Sequence, residues 1–264
     1  MEASQEQADP SVTRPEELPF VAPSKVLDTM AAVRWLKLGW QDFKRAPRQS
    51  FTYGLAMVIL SYMISILALK YGNLYSLLTL LSGFILIGPV IAIGLYSISC
   101  QLQEKKKPVL GHCLREGRRH FANVIVFGFI LLVVFLIWAR SASMLHVFYP
   151  VQSGSDISSY LTFFGIGTLV GAVFSAIIFT ASAFSLPMIM DRKVDMITAV
   201  ITSISAVMKN KKAMLVWASF IVISVVLSFA TAFIGFLVLL PIIGHATWHA
   251  YQETIDASKW PRHN

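Results

Sequence analysis

Residues 213–251, AMLVWASFIVISVVLSFATAFIGFLVLLPIIGHATWHAY, contain no Asp, Glu, Lys or Arg. As one helix this stretch would measure roughly 58 Å, about twice the ~30 Å hydrocarbon thickness of a bilayer. The pattern therefore predicts a hairpin of two spans that turns near residues 231–235. Four more uncharged apolar segments, 51–69, 74–99, 122–139 and 163–190, bring the expectation to six transmembrane helices.

Shorter segments of mixed character lie between them. In 26–46, Val33, Leu36, Trp40 and Phe43 make one stripe and Arg34, Lys37, Gln41, Lys44 and Arg48 the neighbouring one, which predicts a basic helix at headgroup level. In 101–120, Leu110, Cys113, Leu114 and Phe121 keep helical spacing opposite Arg115, Arg118 and Arg119. In 191–212, Ile197, Val200, Ile201, Ile204, Val207 and Met208 oppose Asp195, Thr198, Thr202, Ser205 and Lys209.

The order of amphipathic helix, span, short exit and proline-bearing second span recurs three times, near 35–107, 108–193 and 194–256. The expected fold is an all-α membrane protein, six transmembrane helices arranged as three amphipathic-helix plus hairpin repeats, parallel rather than inverted. Pro89, Pro187 and Pro241 are expected to kink the second spans. Gly167 and Gly171, four apart, are expected to let helices pack closely within the protein. The membrane domain is drawn at 25–256. Residues 1–24, with Pro10, Pro15, Pro19 and Pro23 and no apolar core, read as a disordered cytoplasmic tail rather than a signal peptide, and 257–264 as a short second tail.

Composition strengthens the membrane reading, with 56% hydrophobic residues and 14% charged, against roughly 25% charged in a soluble domain. The net charge of +8 comes from basic residues at the ends of apolar segments, a topology signal that gives no support for nucleic acid binding. With both termini inside, all but Lys70 and Arg140 of the 22 Lys and Arg fall on the cytoplasmic side. Lys105, Lys106, Lys107, Arg115, Arg118, Arg119, Lys209, Lys211 and Lys212 are then the candidates to contact anionic headgroups of that leaflet. Cys100 and Cys113, in or beside a cytoplasmic loop, are expected to be free thiols.

Candidate chemistry is sparse. His245 and His249 share a helix face near the end of the last span, beside Trp248. Interfacial His and Trp are the ordinary reading, and metal ligation or a proton or solute path the sharper ones. No catalytic constellation and no cofactor motif is present, so the chain reads as no enzyme.

The run LDTMAAVRWLKLGWQDFKRAPRQSFTYG, taken with IGPVIAIGLYSISCQLQ, resembles the DUF2189 family of uncharacterised bacterial integral membrane proteins, over nearly the whole chain after the tail. The resemblance implies a bacterial inner (plasma) membrane protein and supplies no active site. Family members are sometimes labelled cytochrome c oxidase subunit. A haem or copper core needs several histidines at matched depth, and only His245 and His249 fall within a span. The expectation is thus a non-catalytic membrane component that packs with another membrane protein or with lipid. The alternative is a channel or transporter for a neutral or lipid-like solute, its path lined by hydroxyls such as Ser61, Ser65, Ser175, Thr180 and Ser224.

Overall fold

The computed structural model describes residues 19–72, 77, 80, 81, 83, 88–109, 121–149 and 156–262. The amphipathic helix expected over 110–120, with Arg115, Arg118 and Arg119, lies outside the described residues, as do most of 73–87. The helices are α1 (Ala31–Arg45), α2 (Pro47–Tyr71), α3 (Gly88–Ile91), α4 (Ile93–Gln103), α5 (Phe121–Phe148), α6 (Ile157–Ser182), α7 (Ser185–Asp191), α8 (Met196–Lys209), α9 (Lys211–Ala230) and α10 (Leu239–Thr254), with a 3-10 turn at Ile234–Leu237. Among the described residues, β pairing amounts to two isolated bridges, Ser24 with Ile255 and Arg192 with Arg262. Among the described residues, four helical runs are long and apolar enough to cross a membrane: α2, Ile125–Leu145 of α5, Ile157–Asp191 through α6 and α7, and α9.

The buried face of α2 is made of small residues at helical spacing, with Ser50, Gly54, Ser61, Ser65 and Ala68 around Met57. Such a face lets the 3-10 turn come close: a Cβ at Gly54 would stand 2.3 Å from the Leu237 carbonyl oxygen. Ser61 and Ser65 donate to the carbonyls of Met57 and Ser61, each at 2.8 Å. Each hydroxyl thus gives its one proton to its own helix.

The chain reverses within 213–251 as expected, between α9 and α10, of which α9 is among the runs long and apolar enough to cross a membrane. It turns through Thr231 to Leu237, with Ala232 and Phe233 in the left-handed region at φ 49 and 69. Gly235 N–H donates to Thr231 Oγ1 at 2.9 Å, and Phe233 N–H to the Ser228 carbonyl at 2.7 Å, which holds the reversal.

The three proline-bearing segments are each broken, at Ala92, at residues 183–184 and at Val238. The prolines do not bend continuous helices as expected. Pro187 and Pro241 sit in the first turn of the helix that starts after the break, where a missing N–H costs no ladder bond, whereas Pro89 lies in α3, before the break at Ala92. The α6–α7 bend has another cause. Ser203 Oγ, from α8, accepts from Phe184 N–H at 3.1 Å and donates to the Thr180 carbonyl at 2.8 Å. Those two groups, four residues apart, would bond each other in an unbroken helix, so the hydroxyl is inserted into the ladder. A Ser203→Ala variant is expected to lose about 1–3 kcal/mol of stability. It should also broaden the distance distribution between spin labels at exposed Leu161 and Ile197. An unchanged unfolding midpoint together with an unchanged distribution would remove the hydroxyl from this role.

The helices that follow the breaks, α4, α7 and α10, meet one another. Leu95, Leu186, Met188 and Trp248, all fully buried, are among their core side chains.

Two amphipathic helices pack otherwise than their stripes suggest. α1 lies against α10 through Ala32, Trp35, Gly39, Asp42 and Phe43, while Val33 and Trp40 stay exposed. It is therefore part of the protein core on one side and not only a surface helix. α8 turns Thr198, Ala199, Thr202, Ser203 and Ala206 inward and leaves Ile197, Ile204 and Met208 exposed. The inward face also holds Val207, and the outward face also holds Ser205 and Lys209, so both faces of α8 mix polar and apolar residues.

Residues 19–24, expected to belong to a disordered tail, are held in place. Ala22 N–H donates to Thr202 Oγ1 at 3.0 Å, and Asp256 N–H to the Pro23 carbonyl at 2.9 Å. At the other end Trp260 is buried and Arg192 Nη1 donates to its carbonyl at 2.9 Å, so 257–262 is a strap rather than a loose tail. The glycine pair divides: a Cβ at Gly167 would meet Leu145 at 3.3 Å, whereas nothing lies within 4 Å of one at Gly171.

Candidate polar site along the last helix

α10 carries a polar side chain on nearly every turn, and each meets a partner from a different element. His245 is fully buried. Its Nε2 is 2.9 Å from Ser50 Oγ and its Nδ1 2.8 Å from Ser99 Oγ. Ser50 spends its one proton on the Ala46 carbonyl at 2.9 Å, so Nε2–H donates to Ser50 and Nδ1 accepts from Ser99. The hydrogen bonds assign a neutral imidazole of one tautomer. One turn on, His249 Nε2 lies 2.7 Å from Asp42 Oδ2, and its Nδ1 3.5 Å from Gln103 Nε2. Gln103 Oε1 accepts from Trp248 Nε1–H at 2.9 Å. The Tyr251 hydroxyl donates to Asp191 Oδ2 at 2.8 Å, and Glu253 accepts from Trp35 Nε1–H at 2.7 Å.

This geometry separates the two histidines. Both ring nitrogens of His245 face serine hydroxyls, and His249 faces a carboxylate on another helix, so the pair does not converge on one point. Among the described residues there is no group of three His, Cys, Asp or Glu placed to hold a metal ion. His245 and Trp248 are both buried at the helix junction. Asp42, Ser50, Ser99, Gln103, Asp191 and Tyr251 were not singled out from the sequence. Asp42 had a legible signal: it falls seven residues after Trp35 and three after Gly39, on the face that packs against α10.

Where α4, α7 and α10 end, a partly open cavity of about 140 Å3 is lined by Cys100, Gln103, Glu104, Asp191, Trp248, Gln252 and Arg262. Asp191 Oδ2 also accepts from Arg192 Nε at 2.9 Å. Burial opposes the charge on Arg192, but the bond to Asp191, the charge of Asp191 and the contributions of Tyr251 together outweigh it, and its pKa lies above the ordinary value. On the surface, the Arg34 guanidinium pulls the Asp28 carboxyl below its usual value.

Residues 77–191 match the DUF2189 family model, whose description is predicted integral membrane protein. The match agrees with the four apolar runs and is narrower than the resemblance read along the chain. The DUF2189 region takes in α3 to α7, with Asp191 at its edge, and leaves α1, α2 and α8 to α10 outside. Ser99 and Gln103 belong to it, while His245, His249 and Asp42 do not, so the polar site is assembled across its boundary. No curated protein and no solved structure matches the chain.

The basic candidates divide as well. Lys105, Lys106 and Lys107 are exposed, with Lys105 closing α4 in the left-handed region at φ 57 and Lys106 paired to Glu104 at 2.7 Å. Lys211 and Lys212 are exposed at the start of α9, and Lys209 donates to the Ser24 carbonyl.

Proposed function

We propose that the protein is a non-catalytic component of a bacterial inner membrane that packs against lipid or another membrane protein. In this reading it crosses six times, as three amphipathic-helix plus hairpin repeats with both termini cytoplasmic. The observation that carries it is the set of large apolar side chains on the outer face of α8. A helix of 14 residues that directs Ile197, Ile204 and Met208 outward needs an apolar medium there, yet is too short to span a bilayer of ~30 Å. Lys209, Lys211 and Lys212 follow at its end, and Lys37 and Lys44 stand exposed near Trp40 on α1, with Arg48 exposed at the start of α2. Apolar side chains edged by cations suit the boundary of an anionic leaflet. Three helices that each follow a break in a proline-bearing segment, α4, α7 and α10, meet at one junction and support the repeat.

The test is the protein purified in mild detergent and then placed in phosphatidylglycerol-containing vesicles. Native mass spectrometry is expected to find retained anionic lipid, and markedly less on a variant with Lys209, Lys211 and Lys212 all changed to Gln. Saturable solute uptake by the vesicles would overturn the reading in favour of a channel or transporter, for which the cavity at the junction of α4, α7 and α10 speaks.

A further inference from the structure

We propose that the cavity between α4, α7 and α10 binds a small organic cation bearing N–H donors, a guanidinium or primary ammonium, and that Arg262 is its tethered occupant. Asp191 carries the argument. Its side chain is only 6% exposed, and the bonds from Tyr251, Arg192 and Gln252 all reach Oδ2. For Oδ1, the nearest cation among the described residues is Arg262, whose Nε stands 4.0 Å away on a side chain 62% exposed. One oxygen of a buried carboxylate thus faces the hollow, and a loosely held guanidinium from the chain's own strap approaches it.

The remaining lining fits the same class of ligand. Glu104 adds a second carboxylate, Gln103 and Gln252 add amides, and Trp248 supplies an aromatic wall. At about 140 Å3 the cavity is well below the ~300–1,000 Å3 of drug-sized sites, so the ligand has few heavy atoms. A guanidinium forms paired N–H···O bonds to a carboxylate, which is the geometry Arg262 stops short of. The backbone bridge between Arg192 and Arg262 keeps the strap beside the mouth, where its side chain competes as an intramolecular ligand.

Isothermal titration of the full chain in detergent with methylguanidinium tests this, with acetate as the charge control at matched ionic strength. Wild type is expected to bind methylguanidinium saturably and acetate not at all. Arg262→Ala is expected to bind about tenfold more tightly, because the fraction of open sites rises once the internal competitor is gone. Adding Asp191→Asn to that variant should abolish binding. Should that double variant fail to fold, Glu104→Gln in the Arg262→Ala background takes its place, with a several-fold loss expected. Absence of saturable heat in both wild type and Arg262→Ala overturns the proposal, as does binding of acetate, or an Arg262→Ala affinity no better than wild type.

Discussion

His249→Leu is expected to cost about 3–5 kcal/mol, the range for removing one partner of a buried polar pair. Asp42 is 3% exposed and its Oδ2 lies 2.7 Å from His249 Nε2, at the contact of α1 with α10. The substitution leaves the buried carboxyl facing an aliphatic side chain in place of its donor. Adding Asp42→Asn should return part of the loss, since an amide is far cheaper to bury than a carboxylate. Unfolding midpoints of the two single variants and the double close a thermodynamic cycle, and strict additivity would show that the residues do not interact.

The second large effect is steric. Gly39→Ala is expected to destabilise by at least ~1–3 kcal/mol, although alanine in a helix interior ordinarily gains about 1 kcal/mol over glycine. A Cβ there would stand 2.6 Å from the Ile242 carbonyl oxygen and 2.8 Å from the Ala246 nitrogen. Both are backbone atoms of α10, so no rotamer change relieves the overlap and the helices must part. Gly128 serves as the control, since nothing lies within 4 Å of a Cβ placed there. A stabilised Gly128→Ala beside a destabilised Gly39→Ala is the expected pattern in denaturation. A stabilised Gly39→Ala would refute the close approach.

Long apolar runs were legible because a single physical fact, the cost of charge in hydrocarbon, writes them into the chain. α2, α5, α6 and α9 follow from it, and so does the reversal near 231–235. What composition could not reveal was which side of a helix meets protein. Val33 and Trp40 look like the packed stripe of α1, yet Trp35, Gly39 and Asp42 are buried, because close helix approach in a membrane selects small residues over large ones. The same reason hid the inward face of α8, where Thr202 and Ser203 are useful for their hydroxyls. His245 and His249 were visible as a pair by spacing. Their partners Ser50, Ser99 and Asp42 lie some 150 to 200 residues away, beyond what any local periodicity encodes.

The pairing of the first helix with the last bears on biosynthesis. Asp42 and His249 are separated by 207 positions, so at ~5–20 residues per second α1 waits roughly 10–40 s for its partner to be made. During that interval Gly39 and Asp42 have no docking groove, and the nascent chain must hold them at the membrane surface or lend them to a chaperone. Truncation anywhere before α10 would therefore strike the opposite end of the polypeptide first, releasing α1 while the spans between remain inserted.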